Sequence, residues 1–336
     1  MKVNGGAMGP LSEIPERARD IEAMGYDGLI SAEVSHDPFF PLLLAAEHTE
    51  RVGLSTAIAV AFARNPMTLA NLAHDLNAYS KGRFTLGLGS QIKPHITRRL
   101  SMPWSKPAAR MREFVLAMRA VFDCWYEGKP LDFSGEFYTH TLMTPMFTPT
   151  DIEHGPPRVA VAAVGPLMTE VAAEVADGLI AHAFTTDRYM REVTLPAVQR
   201  GLDRGGRARA DFDIMCPAFV VSGVDDSSRE GSRVAVRQQI AFYGSTPAYR
   251  PVLELHGWGA LSEELLRLSK QGRWVEMGER IDDEVLETFA IVAEPGQIGD
   301  RLALRYGELI DTWLCTWELP DRDAQSDMVR SLNASG

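Results

Sequence analysis

The feature that most constrains the fold is the regular alternation of short β-branched or apolar runs with amphipathic helical patterns, repeated eight times along the chain. The runs are Lys2–Asn4, Tyr26–Ala32, Gly53–Val60, Arg83–Gly89, Arg158–Ala163, Gly178–Ala183, Asp213–Val221 and Asp311–Trp317. Such alternation builds a parallel sheet from βα units, and eight parallel strands are expected to close into a (β/α)8 TIM barrel. Two stretches exceed a minimal barrel. Residues 127–157 carry short strand-like patches among five prolines, and residues 244–290 read as a helical addition. Setting these aside leaves about 260 of the 336 residues, the usual size of one barrel. The expectation is therefore a single α/β domain over 1–336 with two insertions.

The helical patterns have mechanical starts and stops. Ser12 and Pro15 suit a first turn, Ile14, Ala18 and Ile21 recur on one face, and Gly25 follows the end. Asn65 and Pro66 start the helix after the third strand, and Gly82 stops it. From about Ser105 to Tyr126, Met111, Phe114, Val115, Met118, Val121, Phe122 and Trp125 hold helical register over four turns. A stripe at that spacing is expected in the core.

Forty-five acidic against 34 basic residues give a net charge of −11, spread without a charged tail. That balance argues against nucleic acid or an anionic membrane as partner and points to a small molecule. Cys124, Cys216 and Cys315 are far apart and in no CxxC, which suits a reducing compartment and not a disulfide framework. The N-terminal MKVNGGAMGP has no long apolar run, and no stretch is apolar enough for a membrane span, so a cytoplasmic location is expected.

In a barrel the active site lies at the C-terminal ends of the strands. That rule selects Glu33, Ser35 and His36, then 61–65, Ser90 to His95, Val164 to Met168, and His182 to Thr186. Clustered metal ligands and HExxH are missing from the sequence, so no metal is expected. Only six lysines occur, and only Lys93 falls near a strand's C-terminal end. It admits a Schiff-base lyase reading or a contact with an anionic ligand group. In VAAVGPLMTEVAAE, Val161 to Glu174, a strand passes through Gly165 into a helix opened by Pro166. Its first-turn amides could cradle a phosphate, or the segment is an ordinary βα turn.

Taken together, STAIAVAFARNPMTLANLAHDLNAYSKGRFTLGLGSQIKPH (Ser55 to His95), AAVGPLMTEVAAEVADGLI and EPGQIGDRLALRYGELIDTWLCTW resemble the bacterial luciferase-like monooxygenase superfamily. Within it, the resemblance is to the branch that uses the deazaflavin coenzyme F420, and it extends over essentially the whole chain. The branch implies a barrel, often homodimeric, in which hydride passes between the deazaflavin C5 and a small organic substrate. An FMN-dependent monooxygenase is the alternative within the superfamily, and a barrel that carries the cofactor without turnover is the non-enzymatic one.

Carried over by position, the resemblance implies a non-proline cis peptide within one residue of Ala57–Ile58, behind the deazaflavin ring. It implies polar ring contacts from Ser90, Gln91, Lys93 and His95. The phosphate would lie on Gly165, Pro166, Leu167 and Met168; proline has no N–H, so the donors would be the other three. Relatives often have an acid followed by His after strand two. Here SAEVSHD places Glu33 at the acid and Val34 at the His position, so His36, two residues on from Val34, is the substitute catalytic candidate, with Glu33 orienting it or acting itself. A histidine in a surface loop is the plainer reading of His36.

Overall fold

The computed structural model describes residues 1–317 and 322–334. Eight parallel staves close into a barrel. They are β1 (Lys2–Gly6), β2 (Gly28–Ser31), β3 (Gly53–Thr56) with its continuation β4 (Ala59–Val60), β5 (Phe84–Gly89), β8 (Arg158–Ala163), β9 (Gly178–Ala181), β10 (Asp213–Cys216) and β13 (Thr312–Cys315). A small antiparallel pair, β6 (Phe133–Ser134) and β7 (Thr139–His140), lies within the 127–157 insertion. β1 runs between β2 and β13, with Gly5 opposite Leu29 and Cys315. The circle closes where Leu54 of β3 meets Phe84 of β5.

The strands are buried on both faces, as expected where helices cover a parallel sheet. Alternate side chains separate two cores. Ile30, Ala160, Ile180, Met215 and Leu314 fill the barrel interior, while Leu29, Leu54, Leu86, Val159, Leu179 and Trp313 face the helical jacket. That jacket begins with α1 (Ile14–Ala23), α2 (Phe39–His48), α3 (Pro66–Tyr79), α4 (Pro107–Glu127) and α5 (Pro166–Val175). The single turn α6 (Asp187–Tyr189) runs through a π-helical stretch into α7 (Leu195–Gly205).

All seven stripe residues of α4 are buried, each contributing about 1.5–3 kcal/mol against exposure. Asn65 caps α3 by accepting the Met67 amide at 2.9 Å. Ser12 does not cap α1: a 3-10 turn at Leu11–Glu13 precedes the helix, which starts at Ile14 without a side-chain cap.

The seventh run is not one strand. Pro217 and Ala218 separate β10 from β11 (Phe219–Val221), which leaves the barrel and pairs in parallel with β12 (Ala290–Val292). Between β11 and β12 come α8 (Asp226–Gly244), α9 (Arg250–Leu255), α10 (Gly259–Lys270), α11 (Trp274–Glu279) and α12 (Asp283–Phe289). The addition thus starts at Asp226, earlier than residue 244, and has its own core around Phe184, Ile240, Leu253, Leu265 and Phe289. α13 (Ile298–Tyr306) and α14 (Arg322–Ala334) complete the jacket. No described helix is long and apolar enough to cross a membrane.

Candidate active site at the barrel mouth

The C-terminal end of the barrel is lined by small residues. Ala57, Ile58 and Ala162 pack against the interior cluster. A Cβ on Gly87 would run into the Thr56 carbonyl and Ile180, and one on Gly89 would lie 2.8 Å from Ile58. The backbone contact thus requires glycine at Gly87, and a side chain at Gly89 would have to displace Ile58. The result is a floor of low relief suited to a flat ligand.

The peptide between Ala57 and Ile58 is cis and separates β3 from β4. The segment is held from both neighbours. The Ala57 amide donates to Ser31 O at 2.8 Å and the Glu33 amide to Ile58 O at 3.0 Å. Thr56 Oγ1 donates to Gly87 O at 2.7 Å and accepts the Gly87 amide at 2.9 Å.

Glu33 belongs to this framework. Its Oε2 accepts the Val60 amide at 2.8 Å and Arg64 Nη1 at 2.6 Å. Arg64 also donates to Val60 O, pairs with Asp37 at 3.3 Å and lies over the Phe39 ring. His36 is exposed, and among the described residues no hydrogen bond joins it to Glu33. The structure therefore gives Glu33 a structural occupation and does not bring it together with His36.

Past β5, Gln91 adopts a left-handed backbone (φ 56°), and its side-chain oxygen accepts the Ile92 amide. Ser90 donates to Gln91 O at 3.1 Å, so both polar groups shape their own loop. Lys93 and His95 are exposed further along it. Schiff-base chemistry calls for an amine held in a dry pocket, and Lys93 does not occupy one.

Gly165 is the extended N-cap of α5, whose first turn has no side-chain cap, with Pro166 at N1. The helix leaves first-turn amides, including those of Leu167 and Met168, without intrahelical acceptors. A Cβ on Gly165 would meet nothing within 4 Å, so the space before these donors is open. Thr169 anchors the turn from inside, donating from Oγ1 to Gly165 O at 3.1 Å. Open space and uncapped amides at a helix N-terminus suit the phosphate of a cofactor.

The strand-end rule passes over His182 without distinguishing it. In the structure it follows β9 directly, in line with interior Ile180. Its Nδ1 accepts the Phe184 amide at 3.0 Å, and its ring meets Tyr243 and Tyr249 with centroids 4.6 and 4.7 Å away. Burial pushes the imidazole down to about 4, so it is neutral at ordinary pH. Two-residue parity along the sixth strand is the sequence signal that singles it out.

Two cavities lie elsewhere. One of about 540 Å³ runs outside the barrel between α3 and the 127–157 insertion, beside His74 and Asp151. The other, about 270 Å³, sits at the opposite barrel end among Lys2, Asp27, Arg83, Arg158, Asp177 and Asp213. That end is a charged lattice closing the barrel floor, where Arg83 binds the carbonyls of Ala46, Thr49 and Val52. Neither cavity lies at the strands' C-terminal ends, where barrel enzymes hold their chemistry.

Comparison with known proteins agrees with this geometry. Residues 2–312 match the luciferase-like monooxygenase family model. An uncharacterized protein of Mycobacterium tuberculosis is 54% identical over 311 residues, spanning 93% of this chain and 92% of its own. A 5,10-methylenetetrahydromethanopterin reductase of Archaeoglobus fulgidus is 29% identical over 268 residues, 78% of this chain and 75% of that one. Among solved structures, the coenzyme F420 dependent tetrahydromethanopterin reductase from Methanopyrus kandleri superposes with a TM-score of 0.78 at 19% identity, covering 98% and 96% of the two chains. The closed parallel barrel and the family match over nearly the whole length make this chain a member of the luciferase-like monooxygenase family.

Proposed function

We propose that the protein is a coenzyme F420-dependent oxidoreductase acting on a small organic substrate at the barrel mouth. The observation that carries the reading is the uncapped N-terminus of α5 opening on free space at Gly165, beside a floor of glycine and alanine. The A. fulgidus relative, a methylenetetrahydromethanopterin reductase, supports the reaction class. When bound, the deazaflavin supplies the hydride.

The chain supplies position and surroundings. The amides of Gly165, Leu167 and Met168 hold the phosphate, with no cation needed at that point. Ala57 and Ile58 back the ring, held at that place by Glu33 and Arg64 through Val60. Lys93 and His95 stand on an exposed loop where they can meet acidic parts of the cofactor. His36 is exposed beside the mouth and is proposed to carry the proton that accompanies hydride transfer.

The test is reconstitution of the purified chain with coenzyme F420 and, separately, FMN, following fluorescence quenching. Saturable quenching of the deazaflavin supports the reading. Tight FMN binding with no deazaflavin binding overturns it in favour of an FMN-dependent monooxygenase.

A further inference from the structure

His182 is the first residue past β9, and strand parity sets it above Ile180 of the barrel interior. Because Nδ1 accepts the Phe184 amide, it carries no proton, and the neutral ring bears its N–H on Nε2. A distant segment fixes the ring. Tyr243 of α8 meets it edge to face and Tyr249 lies tilted against it, while Phe184 stacks on Tyr249 and on Phe289 of α12. The helical addition thus reaches the mouth as an aromatic wall, with one imidazole set into it.

Among the described residues nothing accepts a hydrogen bond from Nε2. His182 is only partly covered, so its Nε2–H is open to a ligand oxygen that enters the mouth. The charges nearby say which oxygen. Arg250 is turned to Glu254 and Glu263, Arg188 to Glu192, and Arg233 and Arg237 to Asp283. The guanidinium groups of this region are therefore already paired, and an anionic substrate group beside His182 would meet a neutral imidazole and two phenols. Burial also raises the Tyr249 phenol to about 12, so it stays protonated.

We infer that His182 is a substrate-binding residue whose Nε2–H donates to the oxygen of an uncharged carbonyl or hydroxyl substrate, with Tyr243 and Tyr249 forming the wall against its ring or chain. The inference rests on the proposed use of the mouth as the substrate chamber. It adds a substrate class: neutral oxygen-bearing compounds in preference to phosphorylated ones.

The test uses the full chain without cofactor, labelled with nitrogen-15 at histidine, and four probes: acetophenone, 1-phenylethanol, ethylbenzene and phenyl phosphate. The His182 signals should show the Nε2–H tautomer at neutral pH. Acetophenone and 1-phenylethanol should shift them and bind at least about 5-fold tighter than the other two probes. His182→Phe should weaken acetophenone binding about 10-fold, whereas His182→Gln, which retains an N–H at similar reach, should stay within about 3-fold. Equal or better binding of ethylbenzene or phenyl phosphate, undiminished affinity in His182→Phe, or no binding of any probe overturns the inference. Should His182→Phe fail to fold, the wild-type titration decides alone: acetophenone binding that leaves Nε2 unmoved overturns it. Loss of deazaflavin binding in a separate titration would remove the cofactor assignment and leave these results standing.

Discussion

Arg64 Nη1 donates to Glu33 Oε2 at 2.6 Å, and the same oxygen accepts the Val60 amide. One carboxylate thus ties β2's end to the start of the helical connection after β4. Both side chains are mostly covered, 21% exposed for Arg64 and 14% for Glu33. Charge-assisted hydrogen bonds in such surroundings are worth about 1.5–3 kcal/mol.

Glu33→Gln is therefore expected to lower unfolding stability by about 1.5–3 kcal/mol, measured by urea denaturation. Arg64→Met should cost a similar amount, and the double variant less than the sum of the two. Stability within about 0.5 kcal/mol of wild type would instead free Glu33 for a proton-transfer role.

Gly87 and Gly165 should respond oppositely to added side chains. At Gly87 a Cβ collides with the Thr56 carbonyl, so Gly87→Ala is expected to destabilise by at least about 1–3 kcal/mol. At Gly165 the Cβ meets nothing and the backbone is extended, so Gly165→Val should leave the melting temperature nearly unchanged. The same Val crowds the space before the α5 amides, and cofactor affinity should fall at least about 10-fold, the weight of one strong polar contact. Calorimetry and fluorescence titration on the two variants check both halves.

Acid should destabilise the protein partly through His182. Its folded value, about 4, lies below the ordinary 6.5, so between these values the unfolded chain binds more protons. The stability it contributes is complete above pH about 6.5 and is lost as pH falls towards 4. His140 and His256 are also pushed down by burial and act in the same direction. Wild type should therefore lose stability more steeply than His182→Phe over this window, the other groups being common to both. Parallel curves from denaturation at stepped pH would contradict the environment described for His182.

The barrel and most of its helices were legible because their determinants are local. The α4 stripe, the Asn65 cap and the Gly82 stop can be read within a turn or two of the chain. What escaped depends on pairing across distance. β11 leaves the barrel because Pro217 interrupts the run and a partner strand lies some seventy residues on, at Ala290–Val292. The commitment of Glu33 to Arg64 spans 31 residues, and nothing around SAEVSHD announces it. His182 was within the strand-end window, and its tautomer is set locally by the Phe184 amide, but its aromatic wall comes from α8 and the turn after it.

The most direct measurement of the central claim is a crystal structure of the chain with coenzyme F420 bound. The account predicts the deazaflavin ring against Ala57 and Ile58, with the phosphate on the amides of Leu167 and Met168 and His182 within reach of the face left open. A phosphate bound away from α5, or a ring lodged in the outer groove beside His74, would contradict it.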